Sequence, residues 1–463
     1  MSKPSSSIFL SPSERSGKPK ELFFIWFASN IGILGVVYGT MIVGFGLSFF
    51  QSLLAAMLGS LSFILVGLTS ISGKNTGANM LTLSRAAFGR KGNYFPTLMV
   101  WMSFVGWLAV NVITGTLTLL SLLNIWGLNT TSLLTVVSLF AFSLLVLLSN
   151  LFSQKVLVKA QTIFTYVFGL LTLLVIALLI PKTNWQALFQ INNGDWLTSF
   201  LPAVSIIIAG TGIGWVGAGA DYSRYQHPKT SSQSVVMSVT LGAFFPLFII
   251  MSAGILMTTS VPSLGTADNP INVISQALPS SWMTALYFLT ALGGLIPQCI
   301  LSLKSARTNL QTLDIHVKDS TAVFIHAIII IALPVYVLFF SQNFLGDFQV
   351  FLGLVGIGLA SWGATFLVDF ALVRRRFGYD EKLLSNKAEA INPAGLLSWL
   401  IGIAAGLAFT NTSFFTGPFA REIFEDSSLG VLLAFIVSGV VQAILVNVQS
   451  SKSRGVESGK MAK

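Results

Sequence analysis

Between Leu22 and Val448 the chain repeats one pattern, an apolar run of about 20 residues followed by a short break carrying Gly, Pro, Asn or charge. A run of that length crosses the hydrocarbon core as a helix, and inside a bilayer only helices and closed barrels satisfy their own backbone groups. With 54% hydrophobic residues, 9% charged residues and a mean hydropathy of +0.80, the chain lies outside the soluble globular range. The pattern predicts an all-α polytopic membrane protein. Twelve transmembrane helices are expected, over 22–49, 52–72, 94–123, 133–148, 156–180, 196–219, 234–258, 282–303, 322–340, 348–373, 393–410 and 429–448.

The net charge of +10 could point to nucleic acid, but in a membrane chain excess Lys and Arg is first a topology signal. With the amino terminus inside, every one of the 26 basic residues except Lys182 and Arg421 falls on the inner side. A different span count would scramble that parity. Both termini are therefore expected in the cytoplasm of a multi-pass plasma (inner) membrane protein, with the lipid bilayer and not nucleic acid as its partner. Residues 1–21 lack the continuous apolar core and small-residue cleavage site of a signal peptide, and read as a disordered cytoplasmic tail. The single Cys299 excludes a cysteine framework, and His227, His316 and His326 show no ligand spacing. No carboxylate pair, HExxH motif or Ser with a base lies within the spans, which argues against an enzyme.

Two spans are interrupted. The first contains "FFIWFASNIGILG", where Ser29, Asn30 and Gly32 break an apolar run, and the sixth contains "AGTGIGWVGAGADYSRYQ", 209–226. Broken backbone at membrane depth is tolerated only where it is buried in protein or lines a cavity, and transporters use such breaks to aim backbone groups at a substrate. The breaks lie five spans apart, and an odd number of spans per repeat inverts the second half. The expected organisation is a first repeat over 22–180, a second over 181–376, peripheral helices over 377–450 and a cytoplasmic tail over 451–463. Within the glycine-rich stretch, Gly210, Gly212 and Gly214 are expected to let the backbone unwind, and Gly217 and Gly219 to permit close packing.

In the third span Trp107 and Asn111 stand four apart and share a helical face, a flat wall beside a hydrogen-bonding amide. Lys304 and Arg307 fall at the inner end of the eighth span, where positive charge is expected, although an ammonium at membrane depth could also replace a bound cation. Asp221 lies at an inner helix end beside Arg224, and the pair reads as a gate or hinge. Asp369 stands likewise beside Arg374. His326, in the ninth span, reads as a packed neutral histidine.

The segments "GWLAVN", "GWVGAGADYSRYQ", "TGANMLTLSRAAFGRKGNYFP" and "LSLKSARTNLQTLD" together resemble the nucleobase:cation symporter-1 family, and within it the purine-cytosine permease branch, over 23–376. The resemblance implies a leucine-transporter-type fold: a 5+5 inverted repeat with broken helices one and six plus two peripheral helices. It implies uptake of a nucleobase or related flat heterocycle, with cytosine or a purine first, by cation symport through alternating access. Matched residue by residue, Trp107 is the stacking tryptophan, Asn111 the substrate amide and Trp215, next to Gly214, the aromatic closing the other side. Ser29 and Asn30 match the unwound segment of helix one. Helix eight departs from the family pattern, offering Gln298 and Ser302 where an Asn pair is usual, then Lys304 and Ser305.

No cofactor is expected beyond the coupling cation, proton or sodium. Sodium would need hard oxygens, here the carbonyls from Ala28 to Ile31 with the hydroxyls of Ser302 and Ser305. Lys304 in that pocket would take the cation's place. Resemblance to the purine-cytosine branch favours the proton. The nearest rival is an amino-acid or other small-solute carrier of the same fold, which would want free backbone at both breaks and have little use for facing indoles. A channel would leave the paired breaks unexplained. The sequence leaves the oligomeric state open.

Overall fold

The structure, a computed structural model, describes residues 8–149, 152–265, 270–276, 278, 280–315, 318–341, 343–385, 388–413, 415–425 and 429–461. Lys3, His316, Lys387 and Lys463 lie outside the described residues. Helices α1 (Pro19–Ser29) and α2 (Leu34–Gly44) form the first span, bent by 65° between them. α3 (Phe49–Leu61) and α4 (Ile64–Thr76) make the second, and α5 (Met80–Phe88) is a short helix beyond its end. α6 (Tyr94–Ile125), α7 (Ser132–Leu148) and α8 (Gln154–Leu179) follow. Short α9 (Trp185–Phe189) precedes the sixth span, built from α10 (Leu201–Gly210), α11 (Gly212–Trp215), a 3-10 turn and α12 (Gly219–Ser223).

The second half continues with α13 (Ser232–Met257), α14 (Pro270–Gln276), α15 (Ser281–Thr312), α16 (Asp319–Tyr336) and α17 (Phe344–Asp369). A π-helical turn joins α17 to α18 (Arg375–Phe377), and α19 (Glu381–Leu384) leads to α20 (Pro393–Ala408). Strands β1 (Asn411–Thr412) and β2 (Phe415–Thr416) pair antiparallel, with Thr412 opposite Phe415, ahead of α21 (Gly430–Met461).

Among the described residues nine helices are long and apolar enough to cross a membrane, and the bent α1–α2 pair is a tenth. Two further apolar helices, α7 and α20, have 17 and 16 residues. At 1.5 Å per residue they reach about 25 Å, short of the roughly 30 Å hydrocarbon core. A total of twelve stands only with both of these counted. Burial separates the centre from the lipid face: 89% of the sixth span's most apolar stretch is buried, against 17% for the ninth.

Two expectations need correction. The first span runs from Pro19 to Gly44, not 22–49, because Ser48 caps the next helix by accepting from the Gln51 N–H, and Gly46 turns the chain with φ +71°. Residues 8–18 are not a disordered tail. Their backbone pairs Leu10 N–H with the Gly77 carbonyl (3.1 Å) and Gly17 N–H with the Tyr225 carbonyl (2.9 Å), and buried Arg15 donates to the Lys74 carbonyl. α21 continues to Met461, so the backbone of the expected cytoplasmic tail is helical that far.

Candidate functional site

The two breaks are built differently. At the first, Ser29 donates to the Ile25 carbonyl and the Asn30 amide donates to the Trp26 carbonyl (2.7 Å), so both side chains fold back one turn and close the carbonyl end of α1. At the second, the helix stops at Thr211 (φ −113°, ψ −107°). None of the glycines from Gly210 to Gly219 has positive φ, so glycine conformational freedom is not what breaks this helix. The second span holds the break open: Gly212 N–H donates to Ser62 Oγ (2.9 Å), and Thr211 Oγ1 donates to the Gly59 carbonyl (2.8 Å). Backbone polar groups at membrane depth thereby find protein partners. The close approach does require glycine at position 212, where a Cβ would stand 2.2 Å from the Ser62 carbonyl oxygen.

Trp107, Asn111 and Trp215 are all buried around this break. Trp107 Nε1 lies 3.3 Å from where a Cβ of Gly214 would stand, so the indole rests on the helix-six backbone. Trp215 is the next residue, about 100° round the helix, and its ring packs on Trp26 (centroids 5.4 Å) and Phe104 (5.9 Å). The two indoles therefore have different ring neighbours, because Trp107 itself packs edge-on to Phe348 (5.8 Å) and Phe351 (5.5 Å). The Asn111 amide N–H donates to the Trp107 carbonyl (2.7 Å), while its Oδ1 is buried without a partner among the described residues. Gln298 is buried on α15, and no hydrogen bond among the described residues holds its amide.

The span-one break meets α15 at Gly294, whose would-be Cβ stands 3.1 Å from the Ile31 carbonyl oxygen. Ser302 and Ser305 lie eight and eleven residues beyond, about 12 and 17 Å along the helix axis. No hydrogen bond among the described residues joins these hydroxyls to the Ala28–Ile31 carbonyls; Ser305 Oγ donates to Asp221. Lys304 is not brought there either: its ammonium donates to Gln154 Oε1 and lies 5.3 Å from the centre of the Tyr225 ring. Ser302 Oγ is buried without a partner.

The inner end of the site is latched. Buried Asp221 accepts from Met80 N–H (2.9 Å) and from Ser305 Oγ (2.8 Å), so one carboxylate joins the sixth span, the eighth span and the start of α5. Arg224 does not share this role; it donates to the Tyr225 hydroxyl (2.9 Å) and lies over that ring. Tyr222 donates to the Leu301 carbonyl (2.7 Å). At the far end of α5, Arg85 donates to the carbonyls of Thr312 (2.9 Å) and Leu384 (3.0 Å) and pairs with Asp314 (3.3 Å). Burial works to raise the Asp314 carboxyl, but the Tyr94 hydroxyl and the charges of Arg85 and Arg90 outweigh it and hold the group below the usual carboxylate range.

Toward the outside a cavity of about 1010 Å³ opens between α2, α10, α17 and the β1 hairpin, lined by Met41, Ser199, Asp347 and Asn411 among others. Tyr38 and Phe348 stack (5.8 Å) between α2 and α17, and Tyr38 donates to the Gly210 carbonyl (3.1 Å). His326 is buried as a neutral ring: Nε2 accepts from Trp101 Nε1 (3.2 Å), leaving Nδ1 to donate to the Ala322 carbonyl (2.6 Å).

Sequence reasoning missed Trp26, Tyr38, Ser62, Thr211 and Phe348. Trp26 stands one turn before Asn30, the same spacing that flagged Trp107 and Asn111, and could have been found. Phe348 is one of 37 phenylalanines and carried no signal.

A family model described as a permease for cytosine/purines, uracil, thiamine and allantoin matches residues 10–448. A Bacillus subtilis (strain 168) chain carrying the name purine-cytosine permease is 28% identical over 96% of each chain. The cytosine permease of Escherichia coli O157:H7 is 25% identical over 79% of this chain and 80% of its own. Among solved structures, a nucleobase-cation-symport-1 family transporter, closed with bromovinylhydantoin bound, superposes with a TM-score of 0.76. It shares 17% identity, covering 97% of this chain and 96% of that one. That likeness shows the leucine-transporter-type fold that the resemblance implied.

Proposed function

The chain belongs to the family of permeases for cytosine/purines, uracil, thiamine and allantoin, and from that premise we propose that it imports a nucleobase, cytosine or a purine first, against Trp107 at the helix-six break. It is a multi-pass membrane permease for nucleobase-like substrates and not an enzyme. The observation that carries the proposal is Asn111 Oδ1, buried one turn from Trp107 with no partner. An unsatisfied buried acceptor costs about 1–3 kcal/mol, and a base N–H would remove that cost. A flat ring stacked on the indole adds about 1–3 kcal/mol. Trp215 borders the site from the position after Gly214, packed on Trp26 and Phe104, and Gln298 supplies a second amide. Ser29 and Asn30 keep helix one broken beside the site.

Coupling to a proton is preferred over sodium. The Ile31 carbonyl faces Gly294, and Ser305 Oγ, one of the hydroxyls that sodium would need, is donated to Asp221. An amino-acid carrier would want free backbone at the breaks, but Ser62 takes the Gly212 N–H and Tyr38 takes the Gly210 carbonyl. We propose plasma-membrane placement, and the inner-side distribution of Lys and Arg supports both termini being cytoplasmic.

The test is uptake into vesicles of labelled cytosine, uracil, adenine, guanine, hypoxanthine, allantoin and hydantoins, under imposed proton or sodium gradients and with Trp215→Ala alongside. Accumulation of a base driven by the proton gradient and weakened by the substitution is expected. Sodium dependence at fixed pH would overturn the coupling; failure of every heterocycle would overturn the site.

A further inference from the structure

We propose that the seam between the second, tenth and twelfth spans binds an anionic glycerophospholipid of the cytoplasmic leaflet, with an acyl chain in an apolar groove and the phosphate at Arg375. The groove, of about 570 Å³, is walled by Leu68, Ile71, Leu367, Leu372 and Phe435. It is a lateral opening in membrane-crossing helices, and Leu372 is 46% exposed in it, so acyl chains are the apolar material that meets it. Asn75, Ser232 and Arg375 form its polar end.

A second chamber of about 330 Å³ adjoins that end. It shares Asn75 and Phe370 with the groove and adds Thr76, Arg374 and Tyr379. The Tyr379 hydroxyl is buried there without a hydrogen-bond partner among the described residues. An apolar slot opening into a polar chamber fits an amphiphile with a chain and a headgroup, and fits a free ion poorly.

Charge selects the headgroup. Arg374, Arg375 and Arg376 follow one another at the inner end of the tenth span. Asp369 is committed to Arg374 (Nε to Oδ2 3.1 Å), which also donates to the Ala86 carbonyl (3.2 Å). Arg376 lies over the Phe377 ring (5.3 Å). Among the described residues no carboxylate pairs with Arg375, which lines the groove at the inner end of the tenth span. Basic pockets between spans on the cytoplasmic side recognise anionic headgroups. The site lies apart from Trp107 and Asn111, and it stands or falls independently of the nucleobase reading.

The full-length protein is reconstituted in phosphatidylcholine vesicles with and without phosphatidylglycerol, and its thermal midpoint and co-purifying lipid are measured. Phosphatidylglycerol is expected to raise the midpoint and to be retained. Arg375→Gln lowers retention about fivefold, and Ala371→Trp, which fills the groove, abolishes it; neither alters the midpoint in phosphatidylcholine alone. Glycerol phosphate added to phosphatidylcholine vesicles gives no gain. Equal midpoints in the two lipids, an equal gain in wild type and both variants, or a gain from glycerol phosphate alone each overturns the proposal.

Discussion

Asp221→Ala is expected to unlatch the inner end of the site. The carboxylate accepts from Met80 N–H at 2.9 Å and from Ser305 Oγ at 2.8 Å, and a hydrogen bond to a charged group contributes about 1.5–3 kcal/mol. Both bonds exist only while α12, α15 and the start of α5 are together, so in the proposed transport cycle their loss is expected to fall on the inward-closed state. At the low end the loss is about 3 kcal/mol, a shift toward the inward-open state of about 150-fold. Ser305→Ala removes one bond, about 1.5 kcal/mol or roughly tenfold. The reporter is a thiol at Ser302, whose hydroxyl is fully buried and unpartnered, introduced after Cys299→Ala removes the chain's single cysteine. Its alkylation by a water-soluble maleimide is followed in inside-out membranes. The rate is expected to rise about 150-fold with Asp221→Ala and roughly tenfold with Ser305→Ala. The double variant adds little to the first, since both substitutions remove the same bond. An unchanged rate in an Asp221→Ala protein that still melts like wild type refutes the latch.

Asn111→Ala removes the unpartnered acceptor and is expected to weaken binding of the transported base by about 5- to 150-fold. Its melting temperature stays close to wild type, because the amide's one bond is to its own helix; calorimetric titration beside a thermal melt separates the two. Gly212→Ala drives a methyl to 2.2 Å from the Ser62 carbonyl oxygen and is expected to cost about 1–3 kcal/mol of stability, read as a lowered melting temperature in detergent. The Asp314 carboxyl is held low in the folded protein, so its contribution is complete above the unfolded value of about 3.9 and is lost as pH falls through the lower folded value. A melting series across that window drops more steeply for wild type than for Asp314→Asn; parallel curves would remove Asp314 from the inner network.

The membrane class and the first break were legible because each has a one-dimensional signature: apolar runs of span length, and polar residues from Ser29 to Gly32 inside such a run. The second break was placed in the right stretch for the wrong reason. Glycine density suggested unwinding, but the helix stops at Thr211 because Ser62 and Gly59 of another span bond to it, and such partners are invisible along the chain. Lys304 shows the same limit. Sequence placed it near the inner end of its helix, but the choice between the span-one carbonyls and Gln154 depends on how far along and around the helix it stands. Asp221 read as a hinge beside Arg224, and its actual donors lie 141 and 84 residues away in sequence.

The glycines of the sixth span make sense once each is asked what it faces. A Cβ at Gly210 would lie 2.3 Å from the Tyr38 hydroxyl, at Gly212 2.2 Å from the Ser62 carbonyl, and at Gly217 2.5 Å from Val100. At Gly219 it would lie 2.2 Å from Thr69 Oγ1, while Gly214 carries the Trp107 indole. The first, second and third spans thus all close onto one helix through positions where a side chain would hold them off. Four of those contacts involve groups that the proposed transport cycle would part: Tyr38 toward the outside, Trp107 at the proposed site, and Ser62 and Thr69 of the second span. A helix whose neighbours touch bare backbone can release them without withdrawing interlocked side chains, which lowers the barrier between packed arrangements that are otherwise bistable. The roughly 1 kcal/mol of helix propensity lost at each glycine is then the condition for a core that can close tightly and still open.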